Sequence, residues 1–201
     1  MSLDDRRKWD ARHRASLGRD LPEPPAWLTR FEGTWHRLVS SAEAPCTEPR
    51  ALDVACGRGR GAVYLAGLGF AVDALDVSPV AVDDLSRRAA EDGLKIRARA
   101  VDLTDLSSLD EVLPPATYDL IVVFRYLDRA LVPYLERALR SGGYLVFETF
   151  VAGAGAVTDF NPAYMLRPGE LGELFPHLET ELFEDGGDDG RAVSRLLARR
   201  R

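Results

Sequence analysis

Acidic residues and glycines cluster around one strand-to-helix turn in the first third of the chain. The turn reads Asp53-Val-Ala-Cys-Gly57-Arg-Gly59-Arg-Gly61 and follows the apolar pair Ala51-Leu52. Glycines let the backbone approach a ligand closely, and the free amides at the start of the following helix attract an anion. Two more acids, Asp76 and Asp102, end the next two expected strands. Together these residues indicate a site for a nucleoside-containing ligand.

The glycine spacing alone leaves two cofactor classes open. Gly57, Gly59 and Ala62 satisfy the GxGxxG/A pattern of dinucleotide-binding enzymes, so an NAD(P)-dependent oxidoreductase is an alternative. Asp53 argues against it, because a carboxylate there repels a diphosphate but attracts an ammonium or sulfonium group. Asp76 suits ribose hydroxyls, which both cofactor types carry. The two lysines do not form the Tyr-xxx-Lys pair of short-chain dehydrogenases, which also weakens the dinucleotide interpretation.

The elements that must position these side chains alternate between strand and helix. Apolar patterns predict helices over 62–68, 79–92 and 132–140, and strands over 51–55, 70–76, 96–101, 118–124 and 144–150. Ser78 and Pro79 are expected to open the second of these helices as its N-cap and first residue, and Gly93 to end it. Late strands over 179–184 and 192–198, joined by a turn at 185–190, predict a C-terminal antiparallel hairpin. The alternation predicts a Rossmann-like, doubly wound α/β fold with a mostly parallel seven-stranded sheet and helices on both faces.

The chain is expected to form a single domain over residues 1–201. Residues 1–45 are predicted to be an N-terminal helical cap or lid, in which the stripe from Trp27 to Val39 reads as one core-packed amphipathic helix. Residues 50–150 form the predicted cofactor-binding core, in which Gly142-Gly143 ends the last helix. Residues 151–201 supply a second lid, a short helix over 168–175 and the hairpin.

Composition argues against several classes of binding partner. The net charge of -6 argues against a nonspecific nucleic-acid binder, and no apolar run is long enough to span a membrane. Cys46 and Cys56 form no disulfide framework, and the three histidines are scattered, so no metal site is expected. The N-terminus lacks the apolar stretch of a secretory signal, so a cytoplasmic location is expected.

The order of these motifs resembles the class I S-adenosylmethionine-dependent methyltransferases over roughly residues 50–150. The matching segments are Asp53-Val-Ala-Cys-Gly57-Arg-Gly59, Asp76, Val101-Asp102-Leu103, Tyr118–Phe124 and Leu139–Phe147. One departure is Ala55, which stands where the family usually has its first glycine. The opening Trp9-Asp-Ala-Arg12-His13 is similar to that of tellurite-resistance-type and thiopurine-type methyltransferases, in which this segment folds over the cofactor.

The resemblance assigns S-adenosylmethionine as the cofactor and gives each matching residue a role. Asp53 lies near the ammonium of the cofactor's methionine end, Asp76 holds the ribose and Asp102 the adenine. Leu103 packs against the adenine ring, and Phe124 lines the methyl-donor pocket through its carbonyl. Ala55, Gly57 and Gly59 are expected to contact the cofactor through their backbone. Val77, which follows Asp76, completes the predicted cofactor set. Arg58 and Arg60 either pair with the cofactor carboxylate or, as the favoured interpretation, face solvent.

Acceptor contacts are expected from both flanks of the core. Arg125 and Tyr126 follow the fourth strand, where the acceptor enters in this family, and with His13 they are the candidate catalytic residues. The predicted lid and substrate residues are Trp9, Arg12, Tyr164 and Arg167. Nucleic-acid amino-methylases carry Asn/Asp-Pro-Pro-aromatic after strand four, whereas Asn161-Pro-Ala-Tyr164 lies after strand five, so a small-molecule acceptor is favoured. A non-catalytic cofactor-binding protein remains the main alternative, and a monomer or homodimer is left open.

Overall fold

The computed structural model describes residues 3–40, 48–153, 162–188 and 191–201. The chain divides into two compact units, an N-terminal unit over residues 1–107 and a C-terminal unit over residues 108–201. The expectation of a single domain stays a prediction.

The N-terminal unit places helices around three parallel strands. Its strands β1, β2 and β3 pair side by side, with β2 between the other two. Helix α5 packs on β2 and β3, and helix α1 packs on α5. The elements are α1 (Leu3–Arg14), α2 (Ala26–Thr29), α3 (Glu32–Ser40), β1 (Arg50–Val54), α4 (Arg60–Gly67), β2 (Ala71–Asp76), α5 (Pro79–Glu91) and β3 (Ile96–Ala100).

The C-terminal unit contains the remaining four strands. Strands β4 and β5 are parallel, whereas β7 pairs antiparallel with both β5 and β6. The elements are α6 (Leu109–Val112), β4 (Tyr118–Phe124), α7 (Val132–Ala138), β5 (Leu139–Phe150), α8 (Leu171–Leu174), β6 (Glu179–Asp188) and β7 (Arg191–Arg199). The strand order of the seven-stranded sheet is β3-β2-β1-β4-β5-β7-β6, which confirms the predicted fold class.

Local sequence explains why these elements form where they do. Residues 51–54 of β1 and 120–123 of β4 are buried, as expected for parallel strands covered on both faces. Ser78 caps α5 by accepting a hydrogen bond from the Ala81 amide at 3.3 Å, and Pro79 fits the first helical position. Gly93, at a φ of +65°, follows the end of the helix as predicted.

The predicted helix from Trp27 to Val39 is wrong, because the segment forms two helices, α2 and α3. The carbonyl of Leu28 accepts the indole N–H of Trp35 at 2.9 Å and the amide of Phe31 at 3.4 Å. This carbonyl is therefore engaged outside the regular pattern of a continuous helix. The core role of the stripe is confirmed at Trp27 and Trp35, which are 4% and 0% exposed.

The glycine pair at 142–143 does not end a helix. Helix α7 ends at Ala138, and both glycines lie within β5, where Gly142 adopts a φ of +80°. A Cβ on Gly143 would lie 3.0 Å from the Tyr118 carbonyl oxygen, so close strand packing requires glycine there. The predicted hairpin turn at 185–190 is also too long, since β6 and β7 remain paired up to Asp188 and Arg191.

A shallow pocket opens at the amino-terminal edge of β1, β2 and β3, away from the Gly-rich turn. Its three basic and two acidic residues are all paired: buried Asp73 pairs with Arg50 and Arg97, and Lys95 pairs with Glu48. This pairing leaves little net charge for a ligand. In open α/β sheets, ligands bind instead at the carboxyl ends of the strands.

Candidate functional site

Asp53 lies near the carboxyl end of β1 and is 4% exposed. Its carboxyl group accepts a hydrogen bond from the amide of Ala62, in the first turn of α4. The pKa of Asp53 is raised to about 7: burial is the largest cause and Asp76 adds to it, whereas the Ala62 amide and Arg60 oppose the shift. Because burial dominates, this acid is held where a cationic ligand would stabilise its ionised form.

In the turn after β1, three alternate residues have a left-handed backbone conformation, and all three belong to the predicted cofactor set. Ala55, Gly57 and Gly59 have φ values of +54°, +54° and +86°. This conformation explains why the methyltransferase pattern usually has glycine where this chain has Ala55, since alanine adopts a positive φ only at a steric cost. A Cβ on Gly61 would lie 2.9 Å from Asp53 Oδ2, so glycine makes room for the acid.

Asp76 ends β2 and connects two parts of the site. Its carboxylate accepts the amide of Gly57 at 2.8 Å and that of Ser78 at 2.9 Å. An ionised carboxylate has about four acceptor positions, so two remain for the hydroxyls of a ribose. Val77 follows Asp76 and is half-buried. The structure therefore brings Asp53, Gly57 and Asp76 together around one turn.

Asp102 and Leu103 lie just beyond β3. The Val101 amide donates to the Asp76 carbonyl at 2.8 Å, which fixes this segment beside the end of β2. Asp102 accepts the amide and the hydroxyl of Thr104, at 3.0 and 2.7 Å, so its carboxylate also stabilises a local turn. Leu103 is buried at 2% exposure. Their adenine contacts stay predictions.

Helix α1 lies over the Gly-rich turn. His13 Cε1 would lie 3.3 Å from a Cβ on Gly57, and the His13 ring stacks with Trp9 at a centroid distance of 6.0 Å. The Arg12 guanidinium lies over the Trp9 ring, 5.2 Å from its centroid. Burial lowers the pKa of His13, although Asp76 opposes this shift. The N-terminal segment predicted as a lid thus contacts the turn.

The favoured interpretation of Arg58 as solvent-exposed is wrong. Its side chain is 8% exposed and pairs with Asp84 of α5 at 2.8 Å. It also donates to the carbonyls of Ser16 and Arg19, at 2.6 and 2.8 Å. Arg58 therefore fastens the segment after α1 to the core, and it is unavailable to a cofactor carboxylate. Arg60 is half-buried and donates to the Glu23 carbonyl at 3.4 Å.

Sequence reasoning missed two residues that build this arrangement, Asp10 and Asp84. Asp10 of α1 accepts the Ser78 hydroxyl at 2.5 Å, and the buried pair of Arg58 and Asp84 holds the following segment. A signal existed for Asp84, because it falls among the buried apolar positions of α5, where an acid needs a partner. Asp10 gave no such signal.

The predicted acceptor residues belong to the C-terminal unit. Phe124 is half-buried at the end of β4, and the exposed Arg125 follows it at a φ of +59°. The Arg125 amide donates to the Glu148 carbonyl at 2.8 Å, and its guanidinium lies 5.9 Å from the Phe150 ring centroid. Tyr126 is half-buried, with its hydroxyl oxygen shielded from solvent.

The second predicted lid segment packs near these residues in the same unit. Met165 is buried against Phe150, whereas Tyr164 is 42% exposed. Arg167 donates its amide to Glu170 at 2.7 Å, and Glu170 also binds Arg129 at 2.5 Å. The Arg129 ion pair therefore fixes the segment that carries Tyr164 and Arg167. Asn161 and Cys46 lie outside the described residues.

Other chemistries find little support in the described ranges. No cluster of three or more His, Cys, Asp or Glu side chains suited to a metal occurs there. Among those same residues, no helix is both long and apolar enough to cross a membrane. Burial raises the pKa of the Cys56 thiol well above its usual value, so this cysteine in the turn is a poor nucleophile.

The fold and the turn together define a class. A doubly wound sheet with acids after β1 and β2 and left-handed glycines between them suits a cationic nucleoside ligand better than a diphosphate. Residues 51–143, a little under half of the chain, match the family model described as "Methyltransferase domain". This match confirms the predicted resemblance to methyltransferases.

Individual relatives are distant. Hemagglutinin 1 of Eikenella corrodens is 30% identical over 159 residues, covering 76% of this chain and 51% of that protein. The ubiquinone biosynthesis O-methyltransferase of Burkholderia orbicola (strain MC0-3) is 25% identical over 178 residues, covering 78% and 75%. The crystal structure of TehB from Haemophilus influenzae superposes with a TM-score of 0.65 at 19% identity, covering 81% of this chain and 61% of that chain. The chain thus spans about half of the first relative and under two thirds of the TehB chain.

The raised pKa of Asp53 predicts a pH-dependent stability. Asp53 ionises near pH 3.8 in the unfolded chain but keeps its proton until about pH 7 in the folded protein, so its contribution makes stability fall as pH rises from about 4 to 7 and level off above that. The neutral isostere Asp53→Asn should be more stable than the native protein at pH 8, by roughly 2–4 kcal/mol, with the gap narrowing toward pH 5. Urea unfolding at several pH values measures this gap. A gap that does not change with pH contradicts the prediction, and exposed Asp105→Asn is the control.

The contacts of the buried Arg58 side chain predict that this residue of the turn has a structural role. Arg58→Met should destabilise the protein by about 2–4 kcal/mol, because Asp84 loses its buried partner and the Ser16 and Arg19 carbonyls each lose one of their donors. Trypsin should then cleave faster after Arg6, Arg7 and Lys8. The matched control is Arg37→Met, which removes an exposed guanidinium. Unchanged stability and cleavage would show that Arg58 does not hold the N-terminal segment.

Proposed function

We propose that this protein is an S-adenosylmethionine-dependent methyltransferase acting on a small molecule. The observation that carries the proposal is the buried acid Asp53, beside a left-handed turn that is hydrogen-bonded to Asp76. The methyltransferase family match over residues 51–143 supports it independently.

The residues of the turn fit this cofactor. Asp53 would bind the ammonium of the methionine end, because a cation supplies the partner that burial denies it. Asp76 would bind the ribose hydroxyls through its remaining acceptor positions. The left-handed Gly57 and Gly59 would let the backbone approach the methionine end closely. Asp102, Leu103 and Phe124 complete the proposed cofactor set.

When bound, the cofactor would supply an activated methyl group on its cationic sulfur for transfer to a lone pair of the acceptor, with the neutral thioether as the leaving group. The protein therefore needs chiefly to align the acceptor and exclude water. Trp9, Arg12 and His13 are proposed to exclude water from above the turn. The lowered pKa of His13 keeps its ring neutral near pH 7, the form in which it can accept a proton.

Acceptor contacts are proposed for the C-terminal unit. Arg125 and Tyr126 follow β4, and Tyr164 and Arg167 lie in the segment that Arg129 fixes. The net charge of -6 and the absence of the Asn/Asp-Pro-Pro-aromatic motif after Phe124 favour a small molecule over nucleic acid.

Calorimetric titration with S-adenosylhomocysteine and with NAD(H) tests the cofactor class. We expect binding of adenosylhomocysteine and none of NAD(H). Binding of NAD(H) alone would establish the oxidoreductase alternative instead.

Transfer of a labelled methyl group to thiols, tellurite, carboxylates and phenols tests catalysis separately. Turnover on at least one class supports the enzyme. Adenosylhomocysteine binding with no turnover on any of them favours a non-catalytic binding protein.

Replacing Asp76 should weaken cofactor binding. Asp76→Ala removes the acceptor for the ribose and the anchor of the Gly57 amide, so adenosylhomocysteine binding should weaken by about 1–3 kcal/mol. Calorimetry at a temperature where both proteins are folded measures this loss, and Asp105→Ala is the matched exposed-acid control. An unchanged dissociation constant would remove Asp76 from the site.

A further inference from the structure

Arg125 has an unusual backbone for its residue type. Among the described residues, three that are not glycine have a positive φ, namely Ala55, Ala116 and Arg125. Ala55 lies in the proposed cofactor turn. The left-handed conformation is sterically unfavourable for a residue with a Cβ, and such strain concentrates at functional sites. At Arg125 it is held by the amide's hydrogen bond to the Glu148 carbonyl at 2.8 Å.

The guanidinium of Arg125 is also unlike those of the other arginines whose side chains the structure describes in the C-terminal unit. It lies over the face of Phe150 and is exposed, and no carboxylate among the described residues pairs with it. By contrast, Arg129 pairs with Glu170, and Arg195 pairs with Glu148 at 2.7 Å. Five other arginines likewise bind carboxylates or carbonyl oxygens: Arg137, Arg140, Arg199, Arg200 and Arg201.

The neighbouring acids do not neutralise Arg125. Glu148 is already paired with Arg195, and Asp128 accepts the Ala130 amide at 3.0 Å as the cap of a short helical turn. Beneath the guanidinium lies a buried apolar cluster of Phe150, Met165 and Val193. The end of β4 therefore presents a positive charge that an aromatic ring orients, and within the described part of the chain no carboxylate takes up its N–H donors.

We infer that Arg125 binds an anionic group of the methyl acceptor, so that the acceptor belongs to the carboxylates or phosphates. This inference rests on the proposed function for the identity of the ligand, but the anion site itself belongs to the C-terminal unit. A guanidinium forms paired hydrogen bonds with either anion, and its stacking on Phe150 reduces the rotational freedom that binding would otherwise cost.

The test compares three probes that share a phenyl ring: benzoate, phenyl phosphate and the neutral benzamide. Each is titrated by calorimetry into the full-length protein, with and without adenosylhomocysteine. We expect at least one anion to bind about tenfold or more tightly than benzamide, because hydrogen bonds to charged groups are the strong ones. Stronger binding of benzoate identifies a carboxylate acceptor, and stronger binding of phenyl phosphate identifies a phosphate.

Two variants remove the charge in different ways. Arg125→Gln keeps a long polar side chain, and Arg125→Gly also relieves the left-handed strain, so the glycine variant should fold with a raised melting temperature. Both should abolish the preference for the anion. The matched control is Arg201→Gln, which removes an exposed guanidinium near the C-terminus and should leave the preference intact.

The outcomes are distinguishable from a failure of the proposed function. If neither anion binds more tightly than benzamide, or if both variants keep the preference, the inference is overturned. If adenosylhomocysteine does not bind while Arg125 still selects the anion, the anion site stands and the methyltransferase proposal fails.

Discussion

The burial of one carboxyl group, that of Asp53, is the constraint around which the turn is built. Glycine at position 61 leaves room for its Oδ2 atom, and the Ala62 amide at the start of α4 is a hydrogen-bond donor to it. These contacts do not restore what hydration would provide, and the pKa of Asp53 rises to about 7. An acid in this state costs stability when ionised, and a cationic ligand would recover that cost on binding.

Asp84, in the same unit, is an acid whose burial is fully compensated by hydrogen-bonded arginines. Burial alone would raise the pKa of Asp84, but hydrogen bonds from Arg58, Arg87 and Arg88 bring it down to about 2. That cluster is structural, because Arg58 uses its other donors to hold the segment that follows α1. The N-terminal unit thus compensates the burial of Asp84 internally, whereas the pKa of Asp53 stays raised. Arg125 is the converse case in the C-terminal unit, a cation with no carboxylate partner among the described residues.

The sequence predicted the parallel core well because apolar runs and glycine punctuation are local signals. Strand β4 was predicted with its observed ends, and Ser78, Pro79 and Gly93 marked the ends of α5. The errors arose where a distant contact decided the outcome. The Leu28 carbonyl accepts the Trp35 indole and interrupts a helix, and Gly143 serves close packing against Tyr118. The acids of the turn were recognisable from their positions after strands, whereas the role of Arg58 required knowing that Asp84 faces it.

The most direct test of the central claim is proton release when adenosylhomocysteine binds. If Asp53 is largely protonated in the free protein and ionised beside the ligand's ammonium, calorimetry at pH 6.5 should give apparent enthalpies that differ between buffers of different ionisation enthalpy. The difference should correspond to a large part of one proton for the native protein and to little or none for Asp53→Asn. Equal apparent enthalpies in both buffers for the native protein would contradict the account.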